Sequence, residues 1–265
     1  MSSKELEQAL RNTLNRGTKL FIPYIMAGDG EGGVSNLENR IRFLAEAGAS
    51  AVELGIPFSD PVADGPTIQE AGLRSLANGT KLQSVFDALQ QFKEKSPIPI
   101  IFMTYINPIF KYGIDAFFEE CATSGVSGII IPDLPMEEEQ LVHPACKRNS
   151  IALVRLAAMT STKERISELA KRSEGFLYAV SVTGTTGARA EHASNIGDYL
   201  QELKEISTVP VLAGFGVSDA DQAKHLGSFC DGVIVGSTIV RLFNEEKEDE
   251  IKQLIQNSVI CETSV

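Results

Sequence analysis

Residues 50–66 read Ser50-Ala51-Val52-Glu53-Leu54-Gly55-Ile56-Pro57-Phe58-Ser59-Asp60-Pro61-Val62-Ala63-Asp64-Gly65-Pro66. The six from Ala51 to Ile56 are apolar but for one carboxylate, and they do not alternate strictly; strands buried on both faces have this pattern. A stiff acidic loop follows, and Pro66 opens a helix-period segment, Pro66–Ala77. Strand, loop and helix in that order make one βα unit. The same order recurs along the chain. Strands are expected at Lys19–Met26, Ser50–Ile56, Ile98–Tyr105, Gly128–Pro132, Ile151–Ala157, Phe176–Val182, Val209–Ala213 and Gly232–Val235. Helix periods fall between them at Leu37–Ala47, Pro66–Ala77, Ile114–Thr123, Glu137–Arg148, Lys163–Arg172, Ile196–Ile206 and Asp219–Leu226, with Ser161, Thr162 and Ser218 as caps. Units spaced by roughly 25–35 residues predict a parallel sheet. Leu6, Leu10 and Leu14 give Lys4–Leu14 an apolar stripe, so an extra N-terminal helix is expected. Eight strands, without a G-x-G-x-x-G turn after the first, favour a single (β/α)8 TIM barrel over residues 1–265 instead of an open doubly wound sheet.

Composition narrows the function classes. The 265 residues carry 24 Lys plus Arg against 35 Asp plus Glu, a formal charge of −11. No basic surplus exists to grip a nucleic-acid backbone. A hydrophobic fraction of 43% with 22 Gly and 11 Pro is ordinary globular usage. No apolar run approaches the roughly 18 residues of a membrane span, and the charged N-terminus does not read as a signal peptide. Cys121, Cys146, Cys230 and Cys261 lack paired spacing, so neither a disulfide framework nor a zinc site is expected, and a reducing cytoplasm fits. His143, His192 and His225 add no metal-ligand spacing, and no metal is expected.

In a barrel the chemistry sits where strands end and βα loops begin. Glu53 is a carboxylate inside an apolar strand, where desolvation raises the pKa toward a useful acid/base value; a solvent-facing or loop-capping Glu is the plainer alternative. The loop after it holds Asp60 and Asp64 between three prolines, which stiffen it; a solvated surface turn would look similar. Three later strand ends are glycine-rich: Ser181-Val182-Thr183-Gly184-Thr185-Thr186-Gly187-Ala188-Arg189, Ala213-Gly214-Phe215-Gly216-Val217-Ser218 and Val235-Gly236-Ser237-Thr238. The last two suit a phosphate monoester held by backbone amides and a helix N-terminus, since neither carries Lys or Arg. The first reads as a mobile lid or a plain connection. Tyr24, Met103, Tyr105 and Tyr178 lie near strand ends and either line a flat aromatic pocket or pack the core. Asp133 faces substrate or a partner, and 245–250 reads as a solvated helix face.

Together these motifs resemble the tryptophan synthase α-subunit family over essentially the whole chain. The most specific stretch is Leu54-Gly55-Ile56-Pro57-Phe58-Ser59-Asp60-Pro61-Val62-Ala63-Asp64-Gly65-Pro66-Thr67-Ile68-Gln69. Support comes from Met103-Thr104-Tyr105-Ile106-Asn107-Pro108, Pro132-Asp133-Leu134-Pro135, Thr186-Gly187-Ala188-Arg189, Gly214-Phe215-Gly216-Val217-Ser218 and Gly236-Ser237. The resemblance implies a TIM-barrel lyase cleaving indole-3-glycerol phosphate to indole and glyceraldehyde 3-phosphate. It implies no cofactor in this chain, and a β-subunit partner carrying pyridoxal phosphate (PLP) in an α2β2 assembly. By position, Glu53 matches the general acid/base and Asp64 the carboxylate on the indole N–H. Gly187, Gly216, Gly236 and Ser237 match phosphate contacts. Tyr24, Met103, Tyr105, Tyr178 and Phe215 fall at indole-pocket positions. Asp60 would face the partner, and Thr186 would meet Asp64 when the lid closes. One departure is visible: Val182-Thr183-Gly184-Thr185 stands where the family has an Arg-x-Gly-Val pattern. Two other readings are a docking subunit that mainly activates the PLP enzyme and a different phosphate-sugar barrel enzyme. The lack of a Lys at a matching strand end speaks against Schiff-base chemistry in the latter.

Overall fold

The computed structural model describes residues 2–92, 96–180 and 191–259, without the side chains of 191–195. Its parallel strands are β1 (Leu20–Met26), β2 (Val52–Gly55), β3 (Ile100–Met103), β4 (Val126–Ile130), β5 (Ala152–Leu153), β6 (Arg155–Ala158), β7 (Leu177–Val180), β8 (Val211–Gly214) and β9 (Gly232–Val235). They lie in the order β5-β4-β3-β2-β1-β9-β8-β7-β6. The two ends of that row are successive pieces of one run, separated by Val154 alone. β5 pairs with β4 and β6 pairs with β7, so the ring closes through the backbone at Val154. The expected strand Ile151–Ala157 is therefore real but divided, one half bonded to each neighbour.

The helices are α1 (Ser3–Asn15), α2 (Leu37–Ala47), α3 (Pro66–Ala77), α4 (Leu82–Phe92), α5 (Ile106–Tyr112), α6 (Ile114–Thr123), α7 (His143–Asn149), α8 (Lys163–Arg172), α9 (Glu191–Ile206), α10 (Ala220–Phe229), α11 (Ser237–Asn244) and α12 (Glu248–Val259). The segment expected as one helix over Glu137–Arg148 is instead a 3-10 turn, Met136–Leu141, followed by α7. Pro144 lacks an N–H and fits a helix only in its first turn, so the helix restarts there. α10 begins one residue later than expected, because Asp219 caps it by accepting from the Gln222 N–H at 2.9 Å. The acidic run 245–250 is exposed and leads into α12, whose solvated face continues through Lys252, Gln253, Gln256 and Asn257 while Ile251, Leu254 and Ile255 are buried.

Strand alternation sorts the core into two layers. Phe21, Ile25, Val52, Leu54, Ile100, Phe102 and Val211 point outward and pack beneath the helices. Leu20, Ile22, Ala51, Ile101, Ile130, Val154, Leu212 and Ile234 point inward and fill the barrel. Leu6 and Leu10 of α1 join that inner cluster, fully buried, and close the end from which the strands start. Toward the opposite mouth the inward positions become Tyr24, Glu53, Met103 and Tyr178. Among the described residues no helix is long and apolar enough to cross a membrane.

Candidate active site

Glu53 sits on β2 in register with Tyr24 of β1 and Ile101 of β3. Its neighbours Val52 and Leu54 belong to the outer layer, so period-two alternation turns Glu53 into the barrel. It is 1% exposed, and neither carboxylate oxygen has a hydrogen-bond partner among the described residues. Burial pushes its pKa up from 4.5 to about 8, and the nearby Asp64 charge adds to the rise. Such a group is protonated at neutral pH and has no fixed donor competing for its proton.

Asp64 ends the proline-stiffened loop. Tyr105 anchors that loop: its hydroxyl accepts from the Ala63 N–H at 3.0 Å, and its ring packs on Phe58 with centroids 5.4 Å apart. Gln69 Nε2 donates to the Asp64 carbonyl at 2.8 Å. The Asp64 carboxylate is half-buried. Burial raises its pKa from 3.8 to about 6, against hydrogen bonding from Tyr105, which pulls it down. Asp64 is thus ionised at neutral pH while Glu53 is protonated. Paired carboxylates whose environments separate their pKa values in this way identify an acid and a fixed anion.

Tyr24 is 5% exposed and spans the inner wall above Glu53. A Cβ at Gly55 would lie 1.9 Å from the Tyr24 hydroxyl, so glycine is what lets the phenol reach over β2. The hydroxyl donates to Met26 Sδ at 3.9 Å. Met103 packs both on this Tyr24–Met26 group and on the barrel interior. The Tyr178 ring lies against Gly214, where a Cβ would meet its Cε2 at 2.3 Å. Burial, with the Glu53 charge adding, holds both Tyr24 and Tyr178 phenols neutral well above their ordinary pKa. The structure therefore brings together Glu53, Asp64, Tyr24, Met103, Tyr105 and Tyr178. Phe215 is half-buried and lies elsewhere, on the outer core with its ring 6.5 Å from Tyr199.

Past the end of β8, Gly216 is exposed at φ +70, with open space where a Cβ would be. Gly236 immediately precedes α11, which no side chain caps, and Ser237 is its exposed first residue. Uncapped amides, a helix dipole and a hydroxyl form a berth for an anion. Gly187, Thr186 and the rest of the expected lid lie outside the described residues. Asp60 is exposed on the loop, where the Ser59 hydroxyl donates to it. Asp133 accepts from the Ile106 N–H at 3.0 Å, so it pins the start of α5. Sequence reading missed Met26, although its spacing of two from Tyr24 places it on the same strand face. It also missed the anchoring contact of Tyr105. Among the described residues no group of three His, Cys, Asp or Glu side chains could hold a metal.

A sequence profile of the tryptophan synthase alpha chain family matches residues 10–264. The tryptophan synthase alpha chain of Oceanobacillus iheyensis is 57% identical over 259 residues, covering 98% of both chains. That of Bacillus cereus is 47% identical over 249 residues, covering 94% of this chain and 96% of its own. The crystal structure of tryptophan synthase subunit alpha from Legionella pneumophila superposes with a TM-score of 0.85 at 29% identity, covering 97% of each chain.

Proposed function

This chain belongs to the tryptophan synthase alpha chain family, and from that premise we propose how the residues at its barrel mouth divide the work. The reaction is the lyase step of tryptophan biosynthesis that cleaves indole-3-glycerol phosphate to indole and glyceraldehyde 3-phosphate. The chain works in complex with the β subunit, in an α2β2 assembly, and the PLP of that assembly belongs to the β subunit.

Protonated Glu53 gives its proton to C3 of the indole ring, leaving positive charge on the ring nitrogen. Ionised Asp64 accepts a hydrogen bond from that N–H and stabilises the charge. Glu53, now a carboxylate, takes the proton of the side-chain hydroxyl on the carbon attached to C3. The oxygen's electron pair closes the aldehyde carbonyl, the carbon–carbon bond breaks, and its pair returns to the ring to neutralise the nitrogen. Glu53 ends protonated, as it began, so one dry carboxyl moves both protons. Tyr24, Met103, Tyr105 and Tyr178 wall the ring, and Gly187, Gly216, Gly236 and Ser237 hold the phosphate. Asp60 meets the partner, and Thr186 meets Asp64 on lid closure. The chain acts as one unit over residues 1–265. A biosynthetic reaction and buried free Cys121, Cys146 and Cys230 support a cytoplasmic location.

The observation that carries this reading is the placement of Glu53, buried inside the barrel with no hydrogen-bond partner among the described residues, close to half-buried Asp64, whose charge helps raise the Glu53 pKa. Indole release is the assay. Glu53→Gln is expected to lose roughly 10²–10⁴-fold in kcat, and near-wild-type turnover would reject the assignment.

A further inference from the structure

Asp64 stands one residue before Gly65, the N-cap of α3, so the first turn of that helix fixes its position. The Ile68 and Gln69 N–H groups bond the Gly65 carbonyl, both at 3.0 Å, and Gln69 also holds the Asp64 carbonyl. α3 itself lies lightly on the barrel. Its buried residues are only Ala71, Gly72 and Ser75, while Leu73 is 64% exposed and Leu76 37%. Apart from Ile68, which packs on the Tyr24–Met26 group near the start of the helix, the contact is made by small side chains, which gives little resistance to tilting.

The opposite end of α3 is gripped firmly. Arg74 Nε and Nη2 donate to Asp29 Oδ1 and Oδ2 at 2.7 and 2.9 Å, a two-pronged pair onto a carboxylate only 5% exposed. The Ser75 hydroxyl donates to the Ala27 carbonyl. Asn78 Nδ2 donates to the carbonyls of Gly28 and Gly30 at 3.0 and 3.1 Å. Three polar side chains, Arg74, Ser75 and the C-cap Asn78, thus bind this end of α3 to residues 27–30, just beyond β1. β1 also carries Tyr24.

We propose that Arg74 is a positioning residue for the lyase reaction: its fork onto Asp29 fixes the tilt of α3 and thereby where Asp64 sits against the substrate nitrogen. The inference rests on the role assigned above to Asp64. From Gly65 to Arg74 is nine residues, roughly 14 Å at about 1.5 Å per residue. A tilt of about 4° around the clamp therefore moves Asp64 by roughly 1 Å, and misplacement on that scale is worth up to about 10²-fold in rate.

The test measures indole release by the full chain in complex with its β subunit, for Arg74→Met, Asp64→Ala and the double variant, below the unfolding temperature of each. Arg74→Met is expected to lower kcat roughly 10- to 100-fold with KM changed less than about threefold, since the phosphate berth is untouched. In the Asp64→Ala background the same substitution is expected to cost nothing further. Arg74→Lys keeps a cation on Asp29 but has no fork; it is expected to fold near the wild-type midpoint and lose kcat to an intermediate degree, and it decides the matter if Arg74→Met does not fold. Wild-type kcat in the folded Arg74 variants would overturn the proposal, as would losses that multiply with Asp64→Ala. If Asp64→Ala alone keeps wild-type kcat, the role given to Asp64 fails instead, and an Arg74→Met loss that persists in that background refutes the clamp separately.

Discussion

Replacing Glu53 by Gln probes the dry slot without any substrate. In an unfolded chain this carboxyl has its ordinary pKa of 4.5, and in the barrel it titrates at about 8. Below pH 4.5 both states are protonated and the residue costs nothing. Between the two values the unfolded chain releases a proton that the folded chain keeps, so stability falls as pH rises, by about 1.4 kcal/mol per pH unit. Above pH 8 the loss levels off. The cost is therefore about 2 kcal/mol at pH 6 and about 5 kcal/mol at pH 9. Gln has the same shape and equally unpartnered polar atoms, but it never ionises. The Glu53→Gln protein is expected to gain about 3 kcal/mol on the wild type between pH 6 and pH 9, or roughly 6–12 °C in midpoint for a domain of this size. Urea or thermal unfolding of both proteins across that range reads the difference directly. A stability gap that stays flat with pH would refute the claim that burial keeps Glu53 protonated. A gap of opposite slope would mean that the folded site prefers the carboxylate.

Three further substitutions address the surroundings. Tyr105→Phe removes the hydroxyl that pulls the Asp64 pKa down, so the acidic limb of the kcat/KM profile, set near pH 6 by Asp64, is expected to move upward; an unmoved limb contradicts that role. Gly55→Ala drives a Cβ to 1.9 Å from the Tyr24 hydroxyl and 2.5 Å from its ring carbon, a clash expected to cost roughly 1–3 kcal/mol. Tyr24→Phe in that background should return part of the loss, and strictly additive costs in a denaturation cycle would argue against the contact. Arg155, 6% exposed, donates to Glu139 at 2.9 Å. Arg155→Met strands a buried carboxylate and should cost roughly 3–5 kcal/mol, with most of it recovered when Glu139 is also made apolar; a mild single variant would show that Arg172 alone satisfies Glu139.

The fold was readable where the physics is local. Parallel strands covered on both faces must be apolar runs, and α2, α3, α6 and α8 end at the residues where their periodicity and caps end. Division of the run Ile151–Ala157 was not readable, because it depends on which neighbour each half bonds, and apolarity carries no record of that. Glu53 stood out because a carboxylate in an apolar strand is a local anomaly. The grip of Tyr105 on Ala63 and of Arg74 on Asp29 did not: the partners are 42 and 45 residues apart, and an arginine on an amphipathic helix looks like any solvated one. Tyr24, Met103 and Tyr178, picked out near strand ends, lie on the inward face of the barrel mouth. Phe215 shows the limit, since one step past inward Gly214 reverses the face.

β2 shows why the core and the chemistry cannot be varied independently. The inward positions from Ala51, just before it, are Ala51, Glu53 and Gly55: a small floor residue, the proton carrier, and the clearance that admits the Tyr24 ring. Its outward positions, Val52 and Leu54, are fully buried under the helices. A slip of one residue would exchange the two sets, sending Glu53 into the helix-facing layer beside Phe102 and turning two aliphatic side chains into the slot. The aliphatic residues that enforce the register therefore also aim the carboxyl. Its raised pKa follows from the same cause, because the packing that makes misregister expensive is what excludes water from Glu53. A polar substitution at Leu54 would thus weaken both folding and proton transfer, although that side chain faces away from the substrate.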